Sequence, residues 1–479
     1  MAYARSVDVT HEFARAELGD QRRSDRLLSI ADALDREPAK GFPRALGSDA
    51  ALEGFYRFIN NDSFSASDIV APHFSETMKR AAEAKTTLAI HDTTLFEYSS
   101  DREGLGATAS NAHHGFVAHF SLMVAEEDGL PLGVAHVETL TRSGKKRQKR
   151  KKGGQRNYAA LDDPGRESLR WIRAVERIER GRRESEAFDV VHITDAEGDF
   201  FELLATLHDT DARFVIRAGQ QHRSVLSEGN EQSLREVADG LTPTIYREIE
   251  LSERRQPPQR VTAATRKRHP ERSARRARLA IGVGRITLKR TKYSNVKISP
   301  FEVSVVRVWE PAPAAEEPAV EWLLLTTEDV STSERVERVV DIYRRRWLIE
   351  EYFKALKTGC SLEKRQLESY SALCKVLALF VPIAYRLLLL RNLERLDPKA
   401  PATAVFSQTD LDIMRRAPSN RTLPPPVTVA DALLHIARLG GHLRNNGRPG
   451  WQTLSWGYEK LLTLRLGWEL ALAEKCDQS

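Results

Sequence analysis

Three acidic side chains stand out as able to do chemistry together. Asp92 closes the run "TLAIHD" and Asp195 closes "VVHITD". Both runs are apolar and β-branched, so each aspartate is expected at the carboxyl end of a strand, where side chains can converge above a sheet. Either one alone could equally be a turn or helix-capping residue. The third acid lies in "YRRRWLIEEYFKALKTG", Tyr343 to Gly359, which reads as one helix. At about 100° per residue, Tyr343, Arg346, Glu350 and Lys357 project within roughly 60° of one another, and Glu351 points about 100° away from Glu350. A salt-bridged exposed stripe has the same pattern, but it accounts poorly for the tyrosine and for the phase of Lys357. Three carboxylates can hold two Mg²⁺ ions roughly 3.5–4 Å apart for in-line phosphoryl transfer, one ion activating the attacking oxygen and the other stabilising the leaving one. Basic groups and a tyrosine beside them would grip phosphates of a nucleic-acid strand. On this reading Glu350 is the metal ligand, Glu351 is structural or faces solvent, and Trp347 packs in the core.

The elements that must position these groups follow from the pattern. Residues 1–80 read as helical: in "RRSDRLLSIADAL", Leu27, Leu28, Ala31 and Leu34 share a stripe that Arg22, Arg23 and Arg26 avoid, which makes a small head with a basic face. From Thr87 the period changes to strands, "TTLAIHD", "HFSLMVAEED" and "LPLGVAHVETL", the last two separated by the turn "EEDG", so a meander is expected. Then come a helix ("GRESLRWIRAVERIERG"), a buried strand ("FDVVHITD"), a helix ("GDFFELLATLHD") and a strand ("RFVIRAG"). The order β-β-β-α-β-α-β is that of a mixed α/β sheet with helices on its faces. Residues 225–330 switch to β pieces punctuated by Pro and Gly, and from Ser333 the pattern is helical to the end.

Composition bounds the answer. The chain has 479 residues, 41% of them hydrophobic, enough for two or three domains and a core that needs no staples. Lys and Arg number 73 against 67 acids, a net charge of +6. The excess is concentrated in "KKRQKRKK" (Lys145 to Lys152) and in Arg254 to Arg278, patches suited to a polyanion. The three cysteines, Cys360, Cys374 and Cys476, form no CxxC pair, which points to a reducing compartment and no structural zinc. The N-terminus shows no apolar signal region, and "LALFVPIAYRLLLL" (Leu377 to Leu390), interrupted by Pro382 and Arg386, reads as a buried helix, so a soluble cytoplasmic protein with no membrane partner is expected.

The same residues resemble the DDE-class cut-and-paste transposases of bacterial insertion sequences, in particular the group around transposon Tn-five. Tyr343, Arg346, Glu350 and Lys357 match that group's Y-x2-R-x3-E-x6-K signature in full. "EWLLLTTEDV" precedes it, "IHDTT" and "TDAEGDFFELL" carry the two aspartates, "LGDQRRSDRL" with "EGFYRFINN" is similar to the group's DNA-binding head, and "IARLGGHLRNNGRPGWQTLSWGYEKL" to its tail. The resemblance implies a ribonuclease-H-like core interrupted by a β-rich insertion. It divides the chain into a DNA-end-binding head (1–80), the first part of the core (81–224), the insertion (225–330), the glutamate-bearing helical part of the core (331–395) and a helical dimerisation tail (396–479). It implies a metal triad of Asp92, Asp195 and Glu350 holding two Mg²⁺ ions, with Mn²⁺ as substitute. Tyr343, Arg346 and Lys357 would hold DNA near the cut, Trp322 would stack on a base flipped from the transposon end, and Arg217 would contact a phosphate. The basic face of Arg22, Arg23 and Arg26 would meet DNA in the head. The activity implied is nicking at each end, hairpin formation, hairpin opening and strand transfer to target DNA by a homodimer on paired inverted repeats, in the bacterial cytoplasm at the nucleoid. The Lys145 to Lys152 run is more basic than that group leads one to expect. Two other classes fit parts of the pattern: a ribonuclease-H-like nuclease without strand transfer, and a catalytically idle DNA-binding repressor of transposition.

Overall fold

The computed structural model describes residues 9–108, 114–142, 166–184, 188–251, 271, 273–290, 294, 296, 298–313, 319–443 and 449–477. The Lys145 to Lys152 run and most of the stretch from Arg254 to Arg278 lie outside the described residues. Two compact units are formed, one from Met1–Gly154, Arg180–Asp189 and Trp347–Ser479, the other from Gln155–Glu179 and Val190–Arg346. The fold class is mixed α/β with helical N- and C-terminal regions.

In the first unit, strands β1 (Thr86–Tyr98), β2 (Gly106–Ala107), β3 (His114–Ala125) and β4 (Pro131–Leu140) are antiparallel, with β3 between β1 and β4. The β3–β4 turn is the expected one: Gly129 has φ 78°, which a glycine adopts without strain, and its N–H donates to Ala125. β1 is longer than its sequence pattern suggests. It continues six residues past Asp92, so Asp92 lies in mid-strand opposite Phe120 and not at a carboxyl end. Helices Gln21–Arg36, Asp49–Ile59 and Ala66–Glu83 precede the sheet; each begins at a side chain that accepts an N–H of the first turn, Asp20, Ser48 and Ser65 respectively. Tyr370–Leu396 is a single 27-residue helix that runs through Pro382; it is long and apolar enough to cross a membrane, but most of it is buried inside the protein.

Polar contacts fasten the head of the chain to this unit. Arg365 is buried and donates to the carbonyls of Pro38, Lys40 and, at 2.6 Å, Cys360, between the rings of Phe42 and Phe380. Arg386 pairs with Asp35, and Lys40 with Glu459 of the last helix at 3.4 Å. Glu12 accepts from His73 Nδ1 at 2.5 Å and from Arg80 at 2.8 Å, and the Val134 N–H donates to His73 Nε2 at 3.1 Å, which keeps that imidazole neutral. Near the C-terminus, helices Val429–Leu439 and Trp451–Asp477 cross at two glycines: a Cβ on Gly457 would overlap the Ile436 carbonyl, and one on Gly440 would overlap that of Thr453.

The second unit holds β5 (Asp189–Thr194) and β6 (Arg213–Arg217), parallel and joined through helix Phe201–Asp209. The sheet continues antiparallel through β12 (Glu321–Thr326), β11 (Phe301–Trp309) and β10 (Arg275–Leu288), with β7 (Ser224–Ser227), β8 (Asn230–Ser233) and β9 (Ile245–Leu251) beyond. Its core gathers Trp171, Leu204, Phe214, Ile216, Val305 and Leu325.

The segment read as one helix from Tyr343 is three pieces. Helix Ser333–Arg344 ends with Arg346 N–H donating to the Tyr343 carbonyl at 3.0 Å, a tighter three-residue bond; Trp347–Lys354 restarts the helix; and Ala355–Gly359 is a π-helical turn. The chain changes unit between Arg346 and Trp347.

Two outcomes test these contacts. Burial would raise the Glu12 carboxyl, but the His73 N–H and Arg80 outweigh it and hold it at about 2, below its ordinary 4.5, while burial pushes His73 below its ordinary 6.5. Both folded values are depressed, so both contributions are complete above pH 6.5 and are lost as the pH falls toward about 2. The melting temperature should drop across that window, and less steeply below pH 4.5 in Glu12→Gln. Gly457→Val should loosen the helix crossing at a cost of about 1–3 kcal/mol, read as a lower melting temperature and earlier proteolysis of the tail.

Candidate active site

In the first unit, Asp92 and Glu350 belong to one side of the sheet. Asp92 and Phe120 are direct cross-strand partners, so their side chains share a face. The Phe120 ring meets Tyr352 and Phe353 edge-on, at 5.6 and 5.5 Å. The helix that carries Glu350 therefore covers the face from which Asp92 projects. The Asp92 carboxylate accepts the Thr93 N–H at 2.7 Å, and both acids are partly exposed. On the opposite face Thr93 bonds His119 Nδ1 at 2.9 Å and His91 Nδ1 bonds Ser121 at 2.8 Å, so the strand around Asp92 is fixed from behind.

The two adjacent glutamates divide as a packed helix requires. Glu351 is 5% exposed and pairs with Arg395 of the Tyr370–Leu396 helix at 3.1 Å, while Tyr352 donates to the Val381 carbonyl of that helix at 3.2 Å. Glu351 thus has the structural role, leaving Glu350 the more accessible. Trp347 does not pack in the core as expected: it is 52% exposed, with the Lys354 ammonium 5.3 Å from its ring. Residues 347 and 354 are seven apart on one helix and both exposed, so they share its solvent face, away from the buried Ile349, Tyr352 and Phe353. Lys357, in the π turn, donates to the Leu95 carbonyl at 2.5 Å and lies 3.4 Å from Glu363, which brings its ammonium to β1 three residues beyond Asp92.

In the second unit the remaining groups collect at one sheet edge. Asp195 follows β5 directly, as expected, and caps the turn Ala196–Gly198 by accepting the Glu197 N–H at 2.8 Å. Parallel pairing sets Thr194 beside Ile216, so Asp195 and Arg217 leave the sheet together. Trp322, near the start of β12, reaches the same edge, since Leu324 pairs with Arg217. Its ring lies 5.9 Å from that of Tyr343. The Tyr343 hydroxyl is pushed up by burial, a rise that the Arg217 and Arg346 charges oppose and Asp195 reinforces; Arg217 lies within hydrogen-bonding reach of it. Asp195, Arg217, Trp322, Tyr343 and Arg346 therefore form one neighbourhood.

A feature with no sequence signal of its own holds the loops there. Asp199 is buried and accepts the N–H groups of Gly219 and Gln220 at 2.7 and 2.8 Å, as well as the Arg223 guanidinium. A Cβ on Gly219 would stand 2.7 Å from the Ala196 carbonyl oxygen, so the loop after Arg217 can approach the Asp195 turn only with glycine there. In the head, Arg22 and Arg26 are exposed, but Arg23 donates to the Leu18 carbonyl at 2.9 Å and so braces its own helix.

The acids suit a hard divalent cation: they are oxygen donors, partly exposed, with no thiolate among them. Asp92 and Glu350 belong to one unit and Asp195 to the other. Among the described residues no group of three or more His, Cys, Asp and Glu side chains is placed to hold a metal ion.

Two family models match the chain. Residues 8–64 match a transposase DNA-binding domain, and residues 183–379 match a transposase DDE domain. The first match contains Arg22, Arg23 and Arg26. The second contains Asp195, Arg217, Trp322, Tyr343, Arg346, Glu350 and Lys357, and begins downstream of Asp92. Together they support a DDE-type transposase, and the mixed α/β fold is consistent with the ribonuclease-H-like core of that class.

Asp199→Ala would leave the Arg223 charge buried without its partner, and a loss of about 3–5 kcal/mol in unfolding free energy is expected from denaturant titration.

Proposed function

We propose that the protein is a transposase of the Tn-five group, which binds transposon ends, cuts them by metal-dependent phosphodiester hydrolysis through a hairpin intermediate, and joins the 3′ ends to target DNA. The observation that carries this reading is the gathering of Asp195, Arg217, Trp322, Tyr343 and Arg346 at one sheet edge, inside the stretch that matches the DDE domain. The full Y-x2-R-x3-E-x6-K spacing of Tyr343, Arg346, Glu350 and Lys357 points the same way.

In this reading Asp92, Asp195 and Glu350 are the metal ligands, with two Mg²⁺ ions, or Mn²⁺ in their place. Such ions would polarise the attacked phosphate and lower the pKa of a bound water. The protein's own groups hold the DNA. Arg217 and Arg346 neutralise phosphates as the strand is set in line, and the Tyr343 hydroxyl, kept protonated by burial, donates a hydrogen bond to a phosphate oxygen. Lys357, held by the Leu95 carbonyl, offers its remaining donors to the backbone near Asp92. Trp322 is half-buried against Tyr343 and presents an aromatic face to an extruded base. Arg22 and Arg26, in the region matching a DNA-binding domain, contact the transposon end. Nicking, hairpin formation, hairpin opening and strand transfer are all in-line attacks at phosphodiesters, so one site serves them in turn. Paired ends call for a homodimer, with the helices from residue 396 onward as its seam, acting at the bacterial nucleoid.

The test uses the full-length protein and a duplex bearing the inverted repeats that flank the gene. Asp195→Ala, Asp92→Ala and Glu350→Ala should each abolish Mg²⁺-dependent nicking while specific binding of the duplex persists. Cleavage undiminished in these variants would remove the triad. Binding without cleavage in the unmodified protein would favour a repressor, and cleavage of a precut, labelled end without joining would favour a plain nuclease.

A further inference from the structure

β12 begins at Glu321, so Trp322 is the second residue of the strand and pairs with Val308 of β11. Glu321 and Trp322 are adjacent and project to opposite faces. On the Glu321 side a ring of four charged groups closes. Arg307 of β11 donates from Nε to Glu321 Oε1 at 2.8 Å, and Arg235 of the Leu234–Asp239 helix donates from Nη1 to Glu321 Oε2 at 2.8 Å. Both arginines also reach Asp239: Arg235 through Nη2 at 2.6 Å and Nε at 2.9 Å, and Arg307 through Nη2 at 3.0 Å. Arg307 donates further to the Ala238 carbonyl at 3.0 Å and lies over the Trp309 ring. The ring is ionic: Asp239 is held below the usual carboxylate range, chiefly by its hydrogen bonds from Arg235.

A lone exposed ion pair would fix little. Here two planar guanidinium forks bridge the same two carboxylates, and that geometry specifies position. Arg235 has a second attachment. Its backbone N–H donates to the Gln221 carbonyl at 2.8 Å, and its Nη1 lies 3.4 Å from the Gln221 side-chain oxygen. Gln221 belongs to the loop that leaves β6 at Arg217, where Asp199 holds its neighbours Gly219, Gln220 and Arg223. One residue therefore ties the strand end bearing Trp322 to the loop leaving Arg217.

We propose that Arg235, acting through Glu321 and Gln221, is a positioning residue that sets the separation of Trp322 and Arg217, and with it the span between an extruded DNA base and the adjoining phosphate. This rests on the roles given to Trp322 and Arg217 above.

The test labels the full-length protein with fluorotryptophan and assigns the Trp322 fluorine resonance through Trp322→Phe. Arg235→Gln should broaden or split that resonance. Arg235→Lys, which can reach one carboxylate but not both, should have an intermediate effect. Asp239→Asn opens the same ring from a half-exposed position and should disturb the same line if Arg235→Gln proves poorly folded. A Trp322 line unchanged in all three variants would overturn the proposal. A second arm measures cleavage and binding of the inverted-repeat duplex. Trp322→Ala should slow cleavage without weakening duplex binding, and Arg235→Gln should reproduce that split. If Trp322→Ala slows cleavage and Arg235→Gln does not, the positioning role fails while the stacking role stands. If Trp322→Ala cleaves normally, the stacking role falls and takes the DNA role of Arg235 with it.

Discussion

A carboxylate can ligate a hard cation only while it stays ionised, and it can keep a position only while its backbone is packed; burial serves the second need and opposes the first. Asp92, Asp195 and Glu350, the acids proposed as ligands, share one placement between these two needs. Each is partly exposed and stands on an element whose neighbouring residues are buried: Ile90 and Phe120 around Asp92, Ile193 and Thr194 before Asp195, Ile349 and Glu351 on either side of Glu350. The surrounding polar contacts follow from that placement. Asp199 and Arg223 stiffen the loops beside Asp195 from a buried position, and the histidine, threonine and serine contacts brace β1 on the side away from Asp92.

Much of this was legible in the chain. Asp195 after an apolar strand, the βαβ unit that follows it, the antiparallel β pieces before the last helices and the apolar run through Pro382 all have local signatures, because strand alternation and helix periodicity are set by neighbours in sequence. What escaped depended on partners far along the chain. β1 runs on past Asp92 because β3 supplies pairing as far as Tyr98, something no pattern around "IHDTT" reveals. The helix from Tyr343 breaks at Arg345 and Arg346 where the chain passes between units, and it loosens into a π turn at Lys357, so a uniform 100° step misjudges the phase along it. Trp347 looks like core by residue type and is exposed by position.

The two glutamates show the same division. Their spacing demands that one turn inward, but which one does so is decided by the surface of the Tyr370–Leu396 helix, where Arg395, forty-four residues away, meets Glu351 from the protein's exterior. Sequence periodicity separates two faces of a helix; only the opposing surface determines which face is covered.

Arg365 has a practical corollary for anyone wishing to dissect the molecule. Three of its partners are main-chain carbonyls, two of them in the segment just after the first long helix, and among the described residues no carboxylate pairs with it. A fragment cut to end shortly after residue 64 would keep the helices that match the DNA-binding domain but lose the cation that draws Pro38 and Lys40 inward. The remainder would lose two of the three carbonyls that hold the Arg365 guanidinium and the Phe42 ring packed against it. The amino-terminal region should therefore behave as an integral part of its unit and not as a cassette to be grafted elsewhere.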